Sequence, residues 1–202
     1  MPPSSTSRTA HVASKPQLTP DDWIRASAQV LIDKSVEAVR VEVLSKNLGV
    51  TRGSFYWHFK DREDLLQQLL VWWRDTATEH IIDRFEKRNM KPQELLRDLL
   101  ALPFHGEAAQ MAAATELAIR GWARRDETAR QFVDEVDGKR LAYIAQCFSA
   151  LGFDIPESRQ RAFALYSYEL AESLLSNQGT AKQRDERRAF MERMLLRDAV
   201  GV

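Results

Sequence analysis

The chain has 202 residues, 44% of them apolar, and its 29 basic side chains balance 29 acidic ones. This length is enough for one or two domains with a buried core, and zero net charge excludes a polycation that binds nucleic acid by bulk attraction. Cys147 is the single cysteine, which excludes an intrachain disulfide and predicts a buried thiol in a cytoplasmic protein. No run is long and apolar enough to cross a membrane, so no membrane partner is expected.

Residues 1–18 are predicted to form a disordered arm. They are rich in Ser, Thr and Pro, carry Arg8 and Lys15, and lack the apolar centre of a signal peptide. The alternative is a basic arm that contacts a DNA groove, as some DNA-binding proteins have, but a tail without contacts is the simpler interpretation.

The first helix is predicted to start at Thr19. Thr19 has the residue type of an N-cap, Pro20 suits the first helical position, and Asp22 follows within the first turn. Small and apolar side chains then recur at helical spacing and define an inner face: Ile24, Ser27, Ala28 and Leu31.

Residues 43–66 predict two short helices around a sharp turn, followed by a third helix. Leu44 and Leu48 share one helix face, and Gly49 can end that helix in the left-handed conformation. Thr51 is predicted to cap the next helix with its hydroxyl. This is the pattern of a helix-turn-helix.

The second of these helices is predicted to have an inward and an outward face. Phe55 and Phe59 are four residues apart and point inward. The outward face then carries hydrogen-bond donors and flat rings: Arg52, Tyr56, Trp57 and Lys60. Asp61 and Asp64 repeat the capping pattern for the third helix. Its apolar stripe consists of Leu65, Leu66, Leu69 and Leu70.

The charge of this segment is basic. Between residues 38 and 60 the only acid is Glu42, which stands against four cations: Arg40, Lys46, Arg52 and Lys60. A few unbalanced charges on a solvated helix pair are the ordinary alternative. Together with the turn pattern, the patch favours contact with DNA.

The segment resembles the DNA-binding domain of the TetR family of transcriptional regulators. The family pattern is a small turn, Gly-Val-Ser/Thr, one variable residue, Gly and an aromatic cluster ending in His-Phe, and residues 49–59 read GVTRGSFYWHF. Where the family usually has a Lys shortly after the Phe, this chain has Asp61 and Arg62, which keeps a cation near the DNA backbone. The resemblance implies a dimeric regulator that binds a pseudo-palindromic operator in double-stranded DNA. It further implies a repressor that a small-molecule effector releases from this operator. Activation of transcription is the alternative to repression.

The resemblance also implies roles for individual residues. Arg52 is the candidate for base contact, because its planar fork matches a guanine edge. Tyr56 and His58 are expected to bind backbone phosphates. Supporting contacts are expected from Arg40, Thr51, Gly53, Ser54, Trp57 and Lys60. The alternative for His58 is closure of the helix end, and the alternative for Trp57 is shielding of the helix junction.

The rest of the chain is predicted to be helical by its periodicity. A long helix runs from Asp61 to about Arg88. Later helix starts are marked by Pro92, Gly106, Asp126, Pro156 and Thr180. The fold class is therefore all-α, with a three-helix helix-turn-helix domain at residues 19–64 and a helical domain at residues 65–202. The resemblance implies that this second domain binds the ligand and forms the dimer.

A second resemblance supports a ligand-binding body. Residues 116–152 are similar to the body of one TetR subgroup, and the matching residues are Arg120, Trp122, Ala123, Asp126, Val136, Asp137 and Arg140. Candidate pocket residues are Phe104, Met111, Arg120, Trp122, Tyr143, Tyr166 and Glu169. The alternative is that the aromatic residues are core and that Glu116 pairs with Arg120 on one helix. No ligand class is indicated.

Two apolar stripes near the C-terminus predict a dimer interface. They consist of Ala162, Leu165, Leu170 and Leu174 on one helix and Phe190 and Met194 on the next. Such stripes can form a four-helix interface with a second copy. A monomer that buries them internally is the alternative.

An enzyme is not expected. The four histidines, at positions 11, 58, 80 and 105, lie in different segments without metal-ligand spacing. No metal, cofactor or catalytic residue is therefore predicted. A ligand-independent architectural DNA binder or adaptor shares the same helix-turn-helix and remains the competing function.

Overall fold

The computed structural model describes residues 18–102, 106–175 and 178–196, and this part of the chain is helical without a strand. Its α-helices are α1 Pro20–Asp33, α2 Val41–Leu48, α3 Arg52–Phe55, α4 Arg62–Arg74, α5 His80–Lys87, α6 Pro92–Ala101, α7 Gly106–Ala123, α8 Glu127–Ala150, α9 Ile155–Leu174 and α10 Ala181–Leu195. The all-α prediction is confirmed. Residues 1–17 of the predicted arm and Phe104 lie outside the described residues. Within the described ranges, no helix could span a bilayer.

Helix α1 begins as the sequence predicts. The Asp22 carboxylate accepts hydrogen bonds from the backbone amide and the hydroxyl of Thr19, each at 2.8 Å. The predicted inner face is buried, and Trp23 is fully buried beside it. Ser27 is satisfied there, because its hydroxyl donates to the Trp23 carbonyl at 2.7 Å.

Three predicted N-caps are confirmed later in the chain. The side chains of Asp61, Asp126 and Thr180 each accept a hydrogen bond from the backbone amide three positions on. Such caps satisfy donors that the first helical turn leaves unpaired. Gly152, with φ of 94°, follows the end of α8 and lets the chain reverse in a left-handed conformation.

Helices α4 and α5 form one long helical rod. A π-helical segment, Asp75–Glu79, joins them without a break, so the rod extends from Arg62 to Lys87. This agrees with the predicted helix from Asp61 to about Arg88. The π segment itself was not predicted, and it places a wide turn in the middle of the rod.

Two apolar cores hold the molecule together. The first joins α1–α4 to α7 and α8 and includes Trp23, Phe55, Leu69, Trp73, Ile119 and Val133. The second joins α5, α6, α8, α9 and α10 and includes Phe85, Leu96, Phe148, Leu165 and Leu195. Because the first core connects the N-terminal helices to α7 and α8, the domain boundary between residues 64 and 65 stays a prediction.

The predicted dimer stripe on α9 divides between the interior and the surface. Ala162 and Leu165 are buried inside the protomer, so their assignment to a dimer surface is wrong. Periodicity placed them on an apolar face, but that face packs against the second core. Leu174 remains exposed, as do Phe190 and Met194 on α10.

Candidate functional site

The turn between α2 and α3 has the predicted backbone geometry. Gly49 has φ of 69°, and the next amide, of Val50, donates to the Ser45 carbonyl at 3.0 Å. Thr51 occupies the N-cap position of α3, but its hydroxyl makes no capping bond, so that detail of the prediction is wrong. The Ser54 amide instead donates to the Thr51 carbonyl at 3.1 Å.

Helix α3 is a single turn on an aromatic base. Phe55 and Phe59 are buried, with their ring centroids 5.3 Å apart, and Trp23 contacts Phe55 edge-on at 5.4 Å. These contacts turn the intervening side chains outward, leaving Tyr56 63% and Trp57 85% exposed. The predicted inward and outward faces are confirmed.

The outward face carries cations with few competing acids. Arg52 Nη1 lies 3.1 Å from Glu42 Oε1, and both side chains are exposed. Exposed pairs of this kind contribute at most about 1 kcal/mol, so the guanidinium can exchange this partner for another anion. The other exposed cations of the segment are Arg40, Lys46 and Lys60.

The nine predicted DNA-binding residues thus lie in one short segment of the surface. Ser54 and His58 are half-buried. The other seven are exposed: Arg40, Thr51, Arg52, Gly53, Tyr56, Trp57 and Lys60. The His58 ring lies edge-on to Phe59, with centroids 6.3 Å apart, so this side chain also contributes to packing at the end of the turn.

Arg62 has a structural task that the sequence did not reveal. It is half-buried, and its Nε and Nη2 donate to the carbonyls of Val39 and Val36, each at 2.6 Å. This cation therefore stabilises the loop before α2. The sequence instead predicts a position near the DNA backbone. The predicted cap of the third helix is confirmed at Asp61, whose carboxylate accepts from the Asp64 amide at 2.8 Å. The Asp64 carboxylate accepts from the Lys60 amide at 2.9 Å, one residue before the N-cap, so the cap is not reciprocal.

A cavity of about 620 Å³ lies in the body, bordered by residues of α4 to α9. Four of the predicted pocket residues line it: Met111, Tyr143, Tyr166 and Glu169. Arg120 and Trp122 do not line it. The Trp122 side chain is buried in the first core, and Arg120 lies in a polar network beside Tyr166.

The polar network joins α7, α8 and α9 at the cavity wall. Arg120 makes two bonds to the Asp137 carboxylate, at 2.5 and 3.0 Å, and lies 2.9 Å from Glu116. The Tyr166 hydroxyl donates to Asp137 at 2.6 Å. Burial alone would raise the pKa of Asp137, but the hydrogen bonds from Arg120 and Tyr166 hold it below its ordinary value.

Arg140 connects this network to the π segment. Its Nη1 contacts both Glu116 oxygens, at 2.9 and 3.0 Å, while its Nη2 donates to the Ala77 carbonyl and its Nε to the Thr78 hydroxyl, each at 3.0 Å. Burial opposes the charge of this guanidinium, but the attraction of Glu116 and Tyr166 and the hydrogen bonds to both together outweigh it, so the pKa of Arg140 is raised. Sequence reasoning found the pair of Glu116 and Arg120 but not this clamp.

Glu169 is the unusual member of the cavity wall. Its Oε1 is buried without a hydrogen-bond partner in the described structure. Burial raises the pKa of the Glu169 carboxyl to about 8, although Arg140 opposes the shift. The side chain is therefore largely a neutral acid near neutral pH.

Known proteins match the chain most specifically over its N-terminal part. Residues 24–69 match the family model described as bacterial regulatory proteins, tetR family. The uncharacterized HTH-type transcriptional regulator YwcC of Bacillus subtilis (strain 168) is 38% identical over 56 residues, which are 28% of this chain and 25% of that protein. The match thus spans about a quarter of this curated relative.

Solved structures share the fold over nearly the whole chain. A transcriptional regulator from Rhodococcus sp. Rha1 has a TM-score of 0.72 at 17% identity, covering 92% of this chain and 100% of that one. A protein from Saccharomonospora viridis, solved in complex with choline, has a TM-score of 0.73 at 14% identity, covering 91% and 98%. The segment matched by the family model contains the turn at Gly49, helix α3 and its aromatic base, so the predicted resemblance to the TetR family of bacterial regulatory proteins is confirmed over residues 24–69.

Proposed function

We propose that the chain is a sequence-specific DNA-binding transcriptional regulator, a cytoplasmic homodimer that represses until a small molecule releases it from its operator. The observation that carries the proposal is the exposed α3 face, where cations and aromatic rings surround Arg52 on a rigid base. A face of this size fits the DNA major groove, with Arg52 on a guanine edge. Tyr56 and His58 then contact phosphates.

Exposed apolar side chains on α9 and α10 support the dimer. Phe163 is 65% exposed, Leu174 is 64% exposed and Phe190 is 57% exposed. Phe163 and Leu174 are eleven positions apart, which places them on one helix face. A second copy would cover this face and position two α3 helices for half-sites about 34 Å apart.

The π segment supplies a physical route from the cavity to α3. Thr76, Ala77 and Thr78 border the cavity, and the segment continues directly into α4. Helix α4 is about 20 Å long and begins at the Asp61 cap, just after α3. A ligand that favours another position of the π segment would therefore displace the far end of α4.

Release from the operator requires the ligand to bind the two positions with different affinities. The Saccharomonospora viridis protein, which has this fold, holds choline. That precedent and the cavity between α4 and α9 favour a ligand-responsive regulator. An architectural DNA binder would not require a ligand cavity.

Selection of bound duplexes from a random pool tests DNA recognition. We expect the selected sequences to contain an inverted repeat. Binding to it should weaken with rising salt, because salt competes with the phosphate contacts, but specific binding should persist at physiological salt. Recovery of no motif would contradict the proposal. Recovery of a single half-site would contradict its dimeric form.

Mass measurement in solution tests the dimer separately. The wild type is expected to be dimeric at micromolar concentration, and Phe190→Glu to be monomeric, because it buries a charge in the apolar face. Lys182→Glu introduces an acid on the same helix at an exposed ion pair and should leave the mass unchanged. A monomeric wild type would refute this part of the proposal.

A further inference from the structure

Glu169 is a buried acid that forms no ion pair within the polar network. Glu169 borders the cavity, and its buried Oε1 accepts no hydrogen bond from any described residue. Leaving a buried carboxylate unpaired is costly, so without a cation beside it the group is held as a neutral acid. A positive charge placed beside it would turn the cost into an ion pair.

The other buried charges at the cavity wall are already paired. All three guanidinium nitrogens of Arg140 donate, to Thr78, to Glu116 and to the Ala77 carbonyl. The network holds two guanidiniums and two carboxylates: Arg120, Arg140, Glu116 and Asp137. It is balanced by itself, so it provides no spare cation for an anionic ligand. Arg84 also borders the cavity, but it is exposed.

The remaining wall suits an organic body more than a small inorganic ion. Four aromatic residues border the cavity: Trp72, Trp73, Tyr143 and Tyr166. Aromatic rings attract cations and pack against apolar groups. The Arg140 guanidinium already lies over the rings of Trp73 and Tyr166, so Trp72 and Tyr143 are the rings considered for a ligand. A volume of about 620 Å³ is within the range of sites for organic ligands.

We propose that this cavity takes an organic cation, a protonated amine carried on an apolar or aromatic body, and that Glu169 is its counter-ion. The inference rests on the proposed function in one respect, that the cavity is a ligand site. Binding is written as R–NH₃⁺ plus the Glu169 carboxylic acid giving the ion pair plus one proton, which passes to the buffer. No other bond forms or breaks.

Three probes with one skeleton test the charge preference by calorimetry on the full chain without DNA. Phenylbutylamine is cationic at neutral pH, phenylbutanol is neutral, and phenylbutyrate is anionic. We expect the amine to bind about tenfold to a hundredfold more tightly than the alcohol, the range of a charge-assisted hydrogen bond, and the carboxylate to bind weakest. Equal binding of amine and alcohol, stronger binding of the carboxylate, or no binding of the amine would each overturn the proposal.

Glu169→Gln identifies the counter-ion. The amide has nearly the shape of the neutral acid, so the variant should fold, and it should lose the preference for the amine while keeping its affinity for the alcohol. Glu157→Gln makes the same change on α9 at the ion pair with Arg161, outside the cavity lining, and should keep the preference. An unchanged amine preference in Glu169→Gln would refute the role of this residue.

Proton release gives a second readout. At about neutral pH, where the Glu169 carboxyl is mostly protonated, amine binding to the wild type should release most of one proton per site, seen as a dependence of the heat on buffer ionisation enthalpy. The charged groups that act on Glu169 are Arg140 and Glu116, and they are paired in the network. The neighbouring tyrosine pKa values are raised by burial, to about 12 for Tyr143, so tyrosine does not titrate in this range. Absence of release would contradict the proposal.

Failure of this inference is distinguishable from failure of the proposed function. The calorimetry contains no DNA, so its outcome does not depend on an operator. A protein that selects an operator but prefers the alcohol would keep its regulatory assignment and lose the cationic ligand. A protein that prefers the amine but selects no operator would lose the regulatory assignment and keep the site.

Discussion

The cations on the α3 face and the guanidiniums at the cavity wall differ in what surrounds them. Arg52 is exposed, with one exchangeable partner 3.1 Å away. Arg140 is surrounded by the carboxylate of Glu116, the Ala77 carbonyl and the Thr78 hydroxyl. Water solvates the Arg52 side chain in both the folded and the unfolded chain. The partners of Arg140 are brought together only in the folded chain. The exposed charge is therefore available for binding, and the buried one serves folding.

The largest expected effect is the loss of Arg140. Arg140→Ala leaves Glu116 with less positive charge nearby and removes the donors to Ala77 and Thr78, so we expect the free energy of unfolding to fall by about 3–5 kcal/mol. Lys139→Ala on the same helix removes an exposed pair with Glu79 and should cost less than about 1 kcal/mol. Denaturant unfolding of both variants measures the difference. Equal losses would remove the distinction drawn between the two regions.

Glu169 predicts a pH dependence of stability. Its pKa in the folded state, about 8, lies above its ordinary value of 4.5, so unfolding releases a proton between these values. Stability is therefore fully present at low pH and falls as pH rises from about 4.5 to about 8, by a few kcal/mol in all. Glu169→Gln has no such proton, and its free energy of unfolding should exceed that of the wild type increasingly with pH. A constant difference between about pH 5 and about pH 9 would contradict the assignment.

Arg52 should affect recognition without affecting folding. Arg52→Ala is expected to lose about 1–3 kcal/mol of discrimination at one base pair, while its unfolding free energy changes by less than about 0.5 kcal/mol. Tyr56→Phe is the companion variant, and it should weaken all sequences alike by about 1 kcal/mol. Competition binding to operator variants separates the two. An unchanged base preference in Arg52→Ala would assign base contact to another residue.

The smallest expected effect concerns Glu42. Glu42→Gln frees Arg52 from its exposed ion pair and removes one negative charge beside the α3 face, so under the proposed function operator affinity should rise by less than about 1 kcal/mol, and more at low salt. Asp83→Asn removes an acid of similar exposure on α5, paired with Lys87, and should leave affinity unchanged. A weaker complex with Glu42→Gln would mean that this pair orients Arg52 for binding.

Local features of this fold were predictable from sequence because they depend on neighbours in the chain. The caps at Thr19, Asp61, Asp126 and Thr180 follow from residue types within one turn, and the inward position of Phe55 and Phe59 follows from helical spacing. The residues of the TetR motif were recognisable for the same reason, since they are contiguous.

Other features required the packing of distant segments. Glu116 and Arg120 were expected as a pair one turn apart, but the addition of Asp137, Arg140 and Tyr166 depends on how α7, α8 and α9 meet. Periodicity showed that α9 has apolar faces without showing which one is internal. For that reason Ala162 and Leu165 were assigned to a partner, and the exposed Phe163 was missed.

The π segment acts as a one-residue insertion in the long rod. Successive residues of an α-helix are rotated by about 100°, so Phe85, which follows Trp73 by twelve positions, would point about 120° away from it. Eleven positions would bring the two side chains within about 20°. The wide turn at Asp75–Glu79 absorbs the additional residue, and both aromatic side chains are buried, Trp73 in the first core and Phe85 in the second. Deletion of Thr76 is thus compatible with a regular helix, and the register of the rod and the shape of its cavity wall depend on the presence of one residue.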